Sequence, residues 1–298
     1  MALVAVMLAA RSGAVTVSSL NKIEAIRSQA MGGAASALGG DASLAWLNPA
    51  APGGEKSASL TLAGQRGFAD DLIGQGLGVL PLKVGVVFVG VSGYTYGSVT
   101  LNSTDGSSRE VSGQQDMLGA VGFSREVTPG ISAGACAKIM RSSLLGEMAT
   151  SAMSFDVGIQ AGVIPMVKAG LSLRNLGTKM KYYSDPVNTP FTVRTGVAVE
   201  SRFGEVWGKE EALHTITTVA DVEYPPEEKR AILLGGVEYR WKGMIAVRAG
   251  IKYGFREELN NYSAGLGFIL GKHRLDYSVK LGSLVYDVPQ AVSLTIGF

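Results

Sequence analysis

The residues of this sequence that could do chemistry are charged side chains set at every second position. Arg240 stands two residues after Glu238, Arg274 two before Asp276, and Arg248 four before Lys252. Lys168, Arg174, Arg194 and Lys280 sit in the same kind of alternating context, as do Asp156, Glu200, Asp221 and Glu223. Side chains of a strand point alternately to opposite faces, so this spacing gathers the charges on one face. Such a face has two uses. Lining a pore, rings of charge select among solutes. Packed inside a protein, opposite charges pair, because removing one partner of a buried pair costs about 3–5 kcal/mol. The mixed signs favour pairing, with a solute path as the second reading.

Other reactive groups are sparse. The two histidines, His214 and His273, lie at expected strand starts, and neither shares a local motif with a serine and an acid. They read as turn or interfacial residues rather than as a general base. The run GQGLG (Gly74 to Gly78) lacks the strand-turn-helix setting of a phosphate loop. A single cysteine, Cys136, excludes an intrachain disulfide and a Cys/His metal cluster. Net charge is +2 with scattered basic residues, which argues against nucleic acid as a partner. The sequence therefore suggests no enzyme and offers no catalytic, cofactor or metal site.

The elements that must position the charges are strands. The chain has 298 residues, 40 of them Gly, and only 17% are charged. From residue 57 onward, period-2 segments recur at short spacing: 57–64, 72–80, 84–93, 113–124, 131–140, 151–161, 166–174, 191–201, 214–223, 231–240, 244–254, 262–270, 273–282 and 289–298. In AILLGGVEYRW, Leu233, Val237, Tyr239 and Trp241 share one face while Glu238 and Arg240 take the other. Short connectors mostly alternate with long ones (94–112, 141–150, 175–190, 224–230, 255–261, 283–288), the inequality of a barrel threaded through an outer membrane. The connector 202–213 breaks that rule. Aromatics at strand ends (Trp241, Phe255, Phe191, Tyr262) fit interfacial girdles. The expectation is an all-β fold: a 14-stranded antiparallel transmembrane β-barrel spanning 57–298, with a soluble β-sandwich as the alternative.

The first 56 residues do not alternate. Residues 1–14 carry an apolar stretch and small residues at a possible cleavage site but no preceding Lys or Arg, which suggests a truncated or atypical signal peptide. Residues 15–56 suggest a short helix near 19–28, a Gly/Ala-rich stretch, and a helical turn capped by Asp41 and stopped by Asn48-Pro49. This segment is too small-residued for a core of its own, and it reads as a surface arm or as a hatch in the lumen. Arg27 and Asp41 are then candidate partners of the charged wall.

The stretch Arg27 to Gly53 resembles the N-terminal signature of the PorV/PorQ family of bacterial outer-membrane proteins, related to FadL-type barrels. The matching residues are Met31-Gly32-Gly33-Ala34, Asp41-Ala42-Ser43 and Asn48-Pro49-Ala50. The stretch holding Asn175-Leu176-Gly177, the hairpin GLGFILGKHRLDYSVKLGSL and the final strand are similar as well. The resemblance implies a barrel with its N-terminal segment as a hatch, in the outer membrane, whose external loops bind secreted cargo or a translocon protein in type IX-like secretion. The alternative is a FadL-like transporter of hydrophobic ligands, which needs apolar lumenal residues near Met31 and Leu38.

The chain closes on AVSLTIGF, in which Val292, Leu294, Ile296 and Phe298 alternate to the end. In a closed barrel the last strand pairs with the first, and no edge is tolerated in lipid. These residues are expected to face outer-membrane lipid, and the terminal aromatic resembles the signal read by the barrel-assembly machinery.

Overall fold

In this computed structural model the described residues are 18–67, 71–102, 107–146, 148–181, 186–206, 209–254, 261–282 and 288–298. The proposed signal segment, residues 1–14, lies outside them, as does Phe255.

Period-2 sequence becomes strand at each of the fourteen expected places. The strands are β1 (Ser59–Arg66), β2 (Leu72–Leu82), β3 (Gly85–Asn102), β4 (Ser108–Thr128), β5 (Ile131–Leu144), β6 (Met148–Ile164), β7 (Val167–Gly177), β10 (Thr192–Val206), β11 (Lys209–Tyr224), β12 (Ile232–Trp241), β13 (Ile245–Gly254), β14 (Asn261–Leu270), β15 (His273–Gly282) and β16 (Gln290–Gly297). Each pairs antiparallel with its neighbours, and β1 pairs with β16 from Ser59↔Gly297 to Arg66↔Gln290, so the sheet closes into a barrel without an edge. Two short strands, β8 (Met180–Lys181) and β9 (Pro186–Val187), form a small separate sheet in the connection between β7 and β10.

The two faces divide as the alternation requires. Leu62, Met117, Phe155, Leu233, Leu266 and Val292 are exposed on the outside, whereas Asp156, Arg194, Asp221, Glu238, Arg248 and Asp276 are buried inside. Trp241 ends β12 and Tyr262 is the second residue of β14, both pointing outward, and Phe191 stands just before β10.

Three expectations are corrected. The described residues of 94–112 and 141–150 are largely strand rather than loop: β3 and β4 stay paired out to Asn102↔Ser108, and β5 and β6 to Leu144↔Met148. Residues 202–206 and 209–213 are likewise strand, with Phe203 opposite His214, so the long connector expected there is largely strand and His214 lies inside β11 rather than at its start. Beyond the lipid both faces of a strand are wet, so the apolar/polar contrast that marks a strand is lost although the hydrogen-bond ladder continues. The helix expected near 19–28 is two short helices, α1 (Ser18–Lys22) and α2 (Ile26–Gln29), broken at 23–25.

Candidate functional site

The lumen is filled by residues 18–54. Asp41 caps a 3-10 turn, η1 (Ala42–Trp46), by accepting from the Ser43 backbone N–H at 3.0 Å and the Ser43 hydroxyl at 2.6 Å, and Asn48 follows the turn. A second turn, η2 (Ala51–Gly54), leads toward β1. Nearly every side chain from Ser19 to Pro52 is buried, although the segment is mostly Gly, Ala and Ser. Its burial comes from the surrounding wall. Small residues bring backbone against backbone: Gly32 has φ +71° and fits against the Ile251 and Gly235 carbonyls where a Cβ would collide.

Backbone polar groups of the segment are satisfied by the wall. Asp221 accepts from the Ala35 and Ser36 N–H groups and the Ser36 hydroxyl, each at 2.8 Å. Gln160 donates to the Ser36 and Leu38 carbonyls at 2.9 and 2.8 Å, and from within the segment Asn48 Nδ2 also donates to the Ser36 carbonyl at 2.8 Å. Ser263 Oγ accepts from Gly32 N–H at 2.9 Å.

Charged contacts form one network across the segment and β12–β15. Glu238 accepts from Arg27 through both guanidinium arms (2.9 and 2.8 Å), from Arg248 Nε at 2.6 Å and from Arg240 Nη2 at 2.6 Å. Arg248 spans β14 to reach Asp276 on β15 at 2.8 Å. Gly267 leaves room for that crossing, since a Cβ there would lie 2.5 Å from Arg248 Nη2. Arg274 contacts Asp41 at 3.3 Å and Asp276 at 3.4 Å. A second group lies toward β5–β11: Arg194 pairs with Glu223 and donates to the Gly33 carbonyl at 2.8 Å, and Lys138 pairs with Asp156 at 2.6 Å. Lys280 pairs with Glu24 at 2.8 Å. Burial pushes Asp41 up, but Arg274, Arg27 and the Ser43 bonds outweigh it and hold the carboxyl below its ordinary 3.8. Burial likewise pushes Glu24 up, and Lys280 and Lys252 leave it below its ordinary 4.5.

The flank formed by β2–β5 carries the larger apolar cluster. Leu20, Ile23 and Trp46 of the segment pack with Leu77, Val79, Val86, Phe88, Leu118 and Met140 of β2–β5 and with Met180 of β8. Met31 and Leu38 belong to a second apolar group with Ala198, Val219, Ile232 and Leu234. The cavity left beside Trp46 is about 10 Å³, room for one water.

Of the charges singled out in the sequence, Arg27, Arg240, Arg248, Arg274, Asp41 and Asp276 come together. Lys168 is exposed at the rim beside Gly39, and Glu200 pairs there with exposed Arg202 at 2.6 Å. Arg174 is buried and forms no ion pair with a described residue; Lys252 is partly buried on the inner face of β13. Met31, Gly33, Ala34, Pro49 and Ala50 are buried in the lumen with the rest of the signature. Val292, Leu294 and Phe298 are exposed on the outside and Ile296 is half-buried. His214 stacks between Phe203 and Tyr239, its Nδ1 2.7 Å from the Tyr239 hydroxyl, and His273 is exposed. Sequence reading missed Lys138 and Gln160, although both share inward parity with Cys136 and Asp156, and it missed the clamp that Asp221 forms.

No family model and no curated protein matches the chain. Among solved structures it is similar to the Pseudomonas putida toluene transporter TodX, with a TM-score of 0.63 and 12% identity over 90% of this chain and 95% of that one. It is also similar to the CymD monoaromatic hydrocarbon channel, with a TM-score of 0.59 and 12% identity over 91% and 96% of the two chains. At that identity the likeness is one of fold. The protein is an outer-membrane β-barrel. The turns 83–84, 129–130, 165–166, 242–244 and 271–272 lie together at the end that carries Phe298, and this concentration of short turns marks it as the periplasmic end.

Proposed function

We propose that this barrel is a channel for small hydrophobic compounds, closed at rest by residues 18–54. One observation carries the reading: a cluster of packed apolar side chains on β2–β5 extends from the outer end of the lumen to the periplasmic end. At the outer end stand Met180, Val187, Leu20 and Met140; at the periplasmic end, Val79, Val86 and Phe88. Leu20, Ile23 and Trp46 fill this track from the segment's side, so a shift of the segment would free an apolar path without breaking the wall. The charge network on the opposite side holds the segment in register, and the charged groups that border the track are themselves satisfied: Lys138 by Asp156, Lys22 by Asp71, and Asp116 by Ser142 and Gln114. The named substrates of TodX and CymD fit a track of this polarity.

Uptake of radiolabelled toluene by cells carrying the barrel tests the reading. Uptake above that of barrel-less cells is expected, increased by Trp46→Ala and suppressed by Leu118→Asp, which puts a charge in the track. Uptake equal to the control for the wild type and Trp46→Ala alike would refute it.

A second reading, binding of partner proteins in type IX-like secretion, is favoured by the extension of β3 and β4 to Asn102 and Ser108 beyond the apolar band and by the small β8–β9 sheet at the same end. Mild-detergent pull-down should then recover a protein partner that is lost when the β3–β4 extension is trimmed.

A further inference from the structure

The inner and outer glycines of this barrel answer to different needs. Inside, Gly236 and Gly265 sit where a Cβ would come within 2.5 Å of the Met31 and Ala30 Cβ atoms, so packing against the lumenal segment requires them. Outside, on β1–β3, Gly64, Gly74 and Gly93 have nothing within 4 Å of a Cβ position, and none has a positive φ. Neither backbone conformation nor internal packing accounts for these three.

The ladder register sets them side by side. Gly64 pairs with Gly74, Gly74 with Gly93, Gly93 with Met117, and Met117 with Arg141. The next rung toward the periplasm reads Leu62, Gly76, Val91, Gly119 and Ile139. With strands about 4.8 Å apart, three adjacent glycines leave a slot roughly two strand spacings wide. The result is a groove of about 650 Å³ on the lipid-facing wall, bounded by Leu62, Val91, Met117, Ile139 and Arg141.

We propose that this groove holds an acyl chain of a phosphorylated glycolipid of the outer leaflet, with Arg141 receiving its phosphate. The apolar walls suit a hydrocarbon chain. Arg141 supplies the charge complementarity: it is exposed on the outer face, forms no ion pair or hydrogen bond with a described residue, and stands at the outward end of the apolar row that includes Ile139. A cation on the lipid face is tolerated near the interface and is drawn to anionic headgroups. The guanidinium fork matches two phosphate oxygens. Arg125, also exposed on the outer face of β4, lies at the periplasmic end and pairs in register with Ala133, so it meets the other leaflet and serves as a control.

Native mass spectrometry of the full barrel in mild detergent tests the proposal, using hexa-acyl bisphosphorylated lipid A and its dephosphorylated form as probes. Unboiled gels confirm folding of every variant. The wild type should retain one phosphorylated lipid at a concentration about tenfold below that needed for the dephosphorylated form. Arg141→Gln should abolish that preference, Gly74→Leu/Gly93→Leu should lose both lipids, and Arg125→Gln should behave as wild type. Three results would each overturn the proposal: an unchanged preference in Arg141→Gln, undiminished binding by the filled groove, or a lipid-free dimer that the filled groove disrupts.

Discussion

Glu238 ties three arginines to two oxygens, with Arg27 coming from the lumenal segment and Arg240 and Arg248 from the wall. Its conversion to Gln would leave those guanidiniums facing a neutral group in a buried site, and the expected destabilisation is about 3–5 kcal/mol. The denaturant midpoint of the folded band on unboiled gels measures it. Replacing Arg27 and Glu238 together with Met should recover part of that loss, because a buried pair replaced whole by apolar groups is often nearly neutral. Asp41 and Glu24 add a pH dependence. Their folded pKa values lie below the ordinary 3.8 and 4.5, so the stability they contribute is present above those values and is lost as pH falls through the lower folded values. The lumenal segment should therefore become protease-sensitive on acidification below about pH 4, with no such change between pH 6 and 8, as limited proteolysis in detergent would show.

At the scale of elements, the strands were legible wherever lipid and lumen impose opposite demands on successive residues. The row Ile245, Val247, Ile251 and Tyr253 against Arg248, Lys252 and two glycines could be read directly, and β13 occupies that row. The extensions of β3, β4, β10 and β11 were not legible, because water on both faces removes the alternation and turn-forming residues such as Gly97 and Gly204 interrupt what remains. The lumenal site was legible in part. Alternation placed Arg248 and Asp276 on the inner face, but the clamp of Asp221 on Ser36 joins residues far apart in sequence, and no local pattern announces it. Glycine on the inner face was the remaining signal of close packing. Gly250→Val should keep the β12–β13 pairing possible yet expel Met31 and Gly32 from their seat, exposing the segment to protease. Gly74→Val on the outer face should leave proteolysis unchanged.

The whole molecule depends on its seam. Phe298 N–H donates to the Ala58 carbonyl at 2.8 Å, and Lys272 Nζ donates to the Phe298 carbonyl at 2.8 Å, so the last residue is fastened on both sides. Deleting Phe298 should reduce the heat-modifiable, membrane-integrated form to a minor fraction of wild type; normal integration would remove any role for this residue in assembly. The position of the seam also constrains the order of events by which the molecule comes to exist. β1 follows directly on the lumenal segment, and its partner β16 is the last strand of the barrel in chain order. Once β1 and β16 have zipped, the wall offers no gap through which Trp46 or Met31 could slip sideways. Residues 18–54 therefore reach the lumen either before the seam closes, as a form about which the staves are drawn, or afterwards through the mouth of the barrel where β1 begins.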